Sequence, residues 1–198
     1  MATHLEPGAV DPAAAEPKKA RRISRRKVVE AHARSYFGAL SARDTARMAE
    51  HWSEDGVADI AALGVLRGPS EITGLFRELF AAVPDLETSV TRVVAGEREA
   101  AVEWRMAGHF TGRPLQGVEP NGKRIELRGI DLLDIEDSKI VSNTAYYDGM
   151  AFPRQVGLLP PRDSRGERAL KSALNAATRL RRVAAEKSDV LAQRRHGV

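Results

Sequence analysis

Gly117–Pro160, GVEPNGKRIELRGIDLLDIEDSKIVSNTAYYDGMAFPRQVGLLP, carries the architecture of this 198-residue chain. Lys123–Ile135 and Lys139–Tyr147 are rich in Ile, Leu, Val and Tyr, and Glu136-Asp137-Ser138 is a short polar connection between them. Two β-prone runs joined in this way predict a hairpin. Asn121-Gly122 is a turn that opens the first run. After Asp148 come Gly149, Pro153, Gly157, Pro160 and Pro161, and the sheet must end there. Alternation places Leu127, Gly129, Asp131, Leu133 and Ile135 on one strand face, where Asp131 is the only charge. A carboxylate on an apolar face has a raised pKa, and one that takes a proton near neutral pH acts as a general base. The alternative is an acid hydrogen-bonded or ion-paired at a sheet rim.

Upstream of the hairpin, Val28–Ala42 carries Val29, His32, Ala33, Tyr36, Phe37 and Leu40 on one stripe, which predicts an amphipathic helix. Asp44 caps a second short helix holding Met48 and Trp52. Tyr36 and Trp52, with His32 and His51, are candidates to line a pocket or simply to pack. Val57–Val65 reads as irregular and partly β. Ile72, Leu75, Phe76, Leu79 and Phe80 stripe a third helix that stops before Pro84. Leu86–Ala95 and Arg98–Phe110 read as strands joined across Gly96-Glu97. In the second, Val102, Trp104, Met106, Gly108 and Phe110 form the apolar, inward face. His109 then points outward unless Gly108 marks a bulge that re-aims it. Three helices followed by four strands, without βαβ alternation, predict an α+β fold with an antiparallel sheet.

The order of several short motifs resembles the SnoaL-like polyketide (ester) cyclases of the nuclear transport factor 2-like superfamily. Gly68-Pro69-Ser70-Glu71-Ile72, Val83-Pro84-Asp85-Leu86, and Trp104 followed by Gly108-His109-Phe110-Thr111-Gly112 carry it in the first half. Pro120-Asn121-Gly122-Lys123, Gly129-Ile130-Asp131, Asp137-Ser138-Lys139-Ile140 and Arg154-Gln155-Val156-Gly157-Leu158-Leu159-Pro160 carry it in the second. The resemblance implies a strongly curved sheet, also described as cystatin-like, closed by helices into a cone-shaped cavity. It also implies a homodimer formed through the open sheet face, and a lyase- or isomerase-type activity without a cofactor. The family's cyclases use an aspartate base and an assisting histidine. By alignment on Lys139-Ile140, the histidine's position is Asp131 here and the base position is Ala145.

The expected site therefore has Asp131 as base, with Asn143 and Tyr147, which share the parity of Ala145, donating to an enolate oxygen. Trp104 and Phe110 form the apolar wall, and Tyr36, Trp52 and His109 complete the substrate-binding candidates. Intramolecular aldol closure or a double-bond isomerisation fits these parts. An epoxide hydrolase would need a pocket arginine, and Arg105 and Arg128 fall on the opposite face. The other class of function is a binding or scaffold module of the same fold, without chemistry.

Three segments are expected: a disordered basic tail over 1–27, the domain over 28–160, and a basic amphipathic helix over 161–198 whose start carries the capping-box pattern Ser164-Arg165-Gly166-Glu167. The flanks hold +4 and +6 of formal charge against +4 for the whole chain, so the middle is acidic at −6. The tail lacks interleaved aromatics, so nucleic-acid binding is not expected of it. With no cysteine, no secretory pattern and no long apolar run, the reading is a cytoplasmic protein without a membrane span. The five histidines (4, 32, 51, 109 and 196) show no metal-ligand spacing, and no phosphate-binding glycine loop or GxSxG elbow occurs. The expected partner is a hydrophobic small molecule.

Overall fold

A computed structural model of the protein describes residues 24–195, with side chains through 182 and at 184 and 185. The element order is α1 (Arg25–Ser41), α2 (Thr45–Glu50), β1 (Trp52–Ile60), β2 (Gly64–Arg67), α3 (Gly68–Ala82), β3 (Glu87–Ala95), β4 (Glu99–His109), β5 (Arg124–Glu136), β6 (Lys139–Tyr147), α4 (Ala151–Val156) and α5 (Arg165–Arg195). The class is α+β, as expected. One curved six-stranded sheet runs in the order β2-β1-β6-β5-β4-β3.

The β5–β6 hairpin turns through Asp137 and Ser138, both with positive φ (46° and 59°), between the paired residues Glu136 and Lys139. Left-handed backbone at both central positions is the two-residue turn whose twist matches paired strands. Register shifts at Ser142/Ile140 (opposite Asp134/Ile135), Val90/Arg92 and Trp52/Val57 bend β6, β3 and β1 in turn. Such irregularities increase local twist and curl the sheet. Its concave face is covered by α1 over β3 and β4, by α3 over β1 and β2, and by α4 on β5.

Local chemistry sets each helix. In α1 the buried stripe is Val29, Ala33, Tyr36, Phe37 and Leu40, one face at helical spacing. Asp44 caps α2 by accepting from the Arg47 backbone N–H at 2.9 Å. Arg43, at φ 57°, ties this corner down by donating to the carbonyls of Pro84 and Leu86. Gln155 of α4 donates to the Glu126 carbonyl (2.8 Å) and accepts from the Glu126 N–H (2.7 Å), as a neighbouring strand would. It does so on β5 just beyond Gly129–Tyr147, where the pairing with β6 ends.

The structure departs from the sequence expectations in four places. Trp52 opens β1 rather than continuing the second helix, because α2 ends at Glu50 with His51 as its C-cap. The segment read as irregular is the β1–β2 hairpin, so the described residues form six strands. β1 pairs parallel with β6, the one parallel join in an otherwise antiparallel sheet. Arg25–Lys27 begin α1, so the expected tail ends earlier, and residues 1–23 of it lie outside the described residues. Arg165–Arg195 form α5, within the segment read as a C-terminal helix. Ser164 Oγ accepts from the Glu167 N–H at 3.1 Å, and Arg154 holds Glu167 at 3.2 Å. Leu170, Leu174 and Leu180 further along are exposed.

Candidate functional site: a buried carboxylate in an apolar cavity

Period-two alternation aims one face of β4, β5 and β6 into the space under α1 and α3. Trp104 and Met106 come from β4, Leu127 and Asp131 from β5, and Asn143, Ala145 and Tyr147 from β6. Ala58 and Ile60 of β1, Tyr36 of α1 and Phe76 of α3 close the walls. Asp131 is the only Asp, Glu, Lys, Arg or His among the described lining residues.

Asp131 is 8 % exposed. The Trp104 indole N–H donates to its Oδ1 and the Asn143 amide to its Oδ2, each at 2.7 Å. Burial pushes the carboxyl pKa up to about 6 from an ordinary 3.8, and the two hydrogen bonds oppose that rise because they favour the anion. The group is thus mostly ionised at neutral pH and close enough to it to exchange a proton. Because the carboxylate needs a donor, the Asn143 Nδ2 must face it. Asn143 Oδ1 is left buried, without a hydrogen-bond partner among the described residues. A buried orphan acceptor is costly.

Two phenols share the cavity. Tyr36 is fully buried, and burial followed by the charge of Asp131 pushes its pKa up. Burial also raises that of Tyr147, whose ring lies 6.4 Å from that of Trp104. Both phenols therefore stay protonated and can act as donors. Tyr36 packs edge-on against Trp52 at 6.0 Å.

Of the eight residues expected from sequence, six meet here: Asp131, Asn143, Tyr147, Trp104, Tyr36 and Trp52. Phe110 does not reach the cavity. It is buried one layer behind, edge-on to Phe152 at 5.6 Å, and Phe152 forms the wall. His109 is outside and half-exposed, with its Nδ1 2.7 Å from Asp85 Oδ2. No bulge re-aims it, since the β4–β5 register runs unbroken through Gly108–Ile125 and His109–Arg124. Gly108 instead makes room for Val83, which a Cβ there would meet at 2.5 Å. His32 and His51 pair with each other on the far side of Tyr36, with Nε2 and Nδ1 3.4 Å apart. Sequence reasoning missed the wall from β1 and the contribution of α4, because neither carries a clear period. Among the described residues no three His, Cys, Asp or Glu side chains converge as a metal site, and no helix is long and apolar enough to cross a membrane.

The family model for SnoaL-like polyketide cyclases matches residues 30–156. No curated protein matches the chain. Among solved structures, AclR from Streptomyces galilaeus, assigned as a hydroxylase, is similar at 20% identity and TM-score 0.62, over 80% of this chain and 98% of that one. A protein from Jannaschia sp. CCS1 assigned as a SnoaL-like polyketide cyclase is similar at 19% and 0.63, over 71% and 98%. IdmH from Streptomyces antibioticus, assigned as a polyketide cyclase, is similar at 19% and 0.57, over 65% and 97%. At these identities the structural likenesses speak for the fold, while the family model spans well over half of the chain. The chain belongs to the SnoaL-like polyketide cyclase family.

Proposed function

We propose that the cavity takes an apolar small molecule bearing a carbonyl beside an acidic C–H, and that Asp131 removes that proton. The observation that carries this reading is a single buried carboxylate, held by two donors in an otherwise uncharged, apolar cavity. The C–H bond breaks, its proton goes to Asp131, and its electron pair becomes the enolate. Tyr147 and Tyr36, the two phenols of the cavity, donate to the enolate oxygen. The expected role of Asn143 changes, because one amide hydrogen is committed to Asp131; it orients the base and offers Oδ1 to a ligand hydroxyl. In aldol closure the enolate carbon attacks a second carbonyl of the same molecule, and the new alkoxide takes back the proton. In isomerisation the proton returns to a different carbon. Neither route uses a cofactor.

A second reading is a binding module without turnover, and Ala145 at the position of the family's base favours it. Deuterium exchange separates the two. An aryl 1,3-diketone in heavy water should lose its acidic protons faster with the protein than with buffer. Asp131→Asn should reduce that acceleration about 100-fold or more. Binding of the diketone with no acceleration in either protein would establish the binding module.

We also infer a homodimer through the outer sheet face. Cross-strand rows there read Glu99–Asp134–Ser142, then Val94–Ala101–Leu132–Thr144, then Arg92–Glu103–Ile130–Tyr146, then Ser89–Arg105–Arg128. Val94, Leu132, Ile130 and Tyr146 are exposed. A two-fold axis running across the strands between the two middle rows sets the Glu99–Asp134 row against the Arg105–Arg128 row of a second copy. That face is self-complementary, as an isologous contact requires. Light scattering should give a dimer and Leu132→Glu a monomer; a monomeric parent protein would refute it.

A further inference from the structure

Gly129 lies between two aromatic residues on the cavity face, paired with Trp104 on one side and Tyr147 on the other. Asp131 is two residues along β5 from Gly129 and is paired with Val102, not with Trp104. For its indole N–H to reach Asp131, Trp104 must therefore lay its ring diagonally over β5. It does so across the one inward position of that stretch that has no side chain. A Cβ built on Gly129 would sit 2.5 Å from Trp104 Cζ2 and 3.0 Å from Cε2.

We propose that Gly129 is a positioning residue: its missing side chain is what lets the Trp104 indole cross β5 and donate to the Asp131 carboxylate. This inference deepens the reading of Asp131 as the site's base, and rests on it for its importance to function. Gly129 touches no ligand and acts through Trp104. No special backbone angle demands glycine here, since Gly129 is not among the glycines with positive φ. The requirement is room for the indole, together with a second close approach: the same Cβ would lie 2.5 Å from the Tyr146 carbonyl oxygen.

The test reads the Asp131 carboxyl directly, by carbon-13 NMR titration of the ligand-free full chain, with Asp131→Asn assigning the signal. Among the described residues lining the cavity, the other titratable groups facing Asp131 are the phenols Tyr36 of α1 and Tyr147 of β6, both protonated across the range of interest. Gly129→Ala should raise the Asp131 pKa by about one unit, because a donor to the anion is lost. Trp104→Phe should produce a similar rise, and the two together no more than either alone. In the parent protein the Trp104 indole N–H signal should move with the Asp131 titration, and in Gly129→Ala it should not.

A folded Gly129→Ala protein with an unchanged Asp131 pKa overturns the proposal, as do shifts that add in the double variant. If Gly129→Ala does not fold, Gly129→Ala/Trp104→Met decides. Recovery of folding identifies the indole as the conflict and supports the proposal. Failure to recover assigns the conflict to the Tyr146 carbonyl, makes the glycine merely structural and overturns it. None of these readings uses turnover, so a failure of Asp131 as a base in the exchange assay is distinguishable from a failure of this positioning.

Discussion

Replacing Asp131 by asparagine should make the protein more stable at neutral pH while removing its proton chemistry. The carboxyl pKa is about 6 in the fold against an ordinary 3.8. At 1.36 kcal/mol per unit, ionising Asp131 in the folded state therefore costs about 3 kcal/mol of stability. An acid whose pKa is raised by folding contributes most stability while protonated. That contribution is full below about pH 4 and is lost as the pH rises through about 6. Asparagine never ionises. Its oxygen can accept the Trp104 N–H, and its amide can donate to Asn143 Oδ1 once the Asn143 amide turns over, which leaves Asn143 Nδ2 in the unpartnered place that Oδ1 holds in the parent and so adds no new unpaired position. Asp131→Asn should thus match the parent protein near pH 4 and exceed it by about 3 kcal/mol near pH 8. In a domain of this size that is a rise in Tm of about 6–12 °C. Urea denaturation of both proteins at the two pH values is the assay. Taking the difference between variants cancels other titrating groups. A stability difference that is the same at both pH values would refute a desolvated carboxylate.

Three further predictions address the surroundings. Ala145 is paired directly with Asp131 and faces the same cavity, so Ala145→Asp should raise the pKa of the acid pair and lower stability at neutral pH, checked by NMR titration and thermal melting. His109→Ala should leave ligand binding and exchange unchanged and alter stability little, since its contact with Asp85 is solvent-exposed; a loss of exchange would place it in the site after all. Burial, the neighbouring His32 and the cations Arg47 and Lys139 hold the His51 pKa down at about 4. Its neutral form is the stable one, so its share of stability should fall as the pH drops from about 6.5 through 4, and His51→Gln should flatten that acid limb in a denaturation series.

The β5–β6 hairpin and the inward set Asp131, Asn143 and Tyr147 are legible in the sequence because strand periodicity is two, and one correct register aims every side chain. The parallel seat of β1 beside β6 is not, since nothing local in Trp52–Ile60 says which edge it joins. Trp52 reads onto a helix because the boundary at His51 rests on a helix end, where sequence signals are weakest. Phe110 has the right parity, but it lies one residue past β4, and there the chain has moved from the cavity to the layer behind Phe152. Arg154 and Gln155 match a family motif as letters; pinning α5 and clamping β5 are contacts that only the folded chain reveals. The place of Gly129 beneath an indole from another strand depends on a side-chain path that no linear pattern encodes.

If Asp131 is a base poised by burial, its own titration must appear in the pH dependence of deuterium exchange into the aryl 1,3-diketone. The rate with the parent protein should rise with pH, bend at about 6, the pKa of the buried carboxyl, and level off above it, while Asp131→Asn shows no such bend. A profile that bends near 4, or one that Asp131→Asn leaves unchanged, would contradict it.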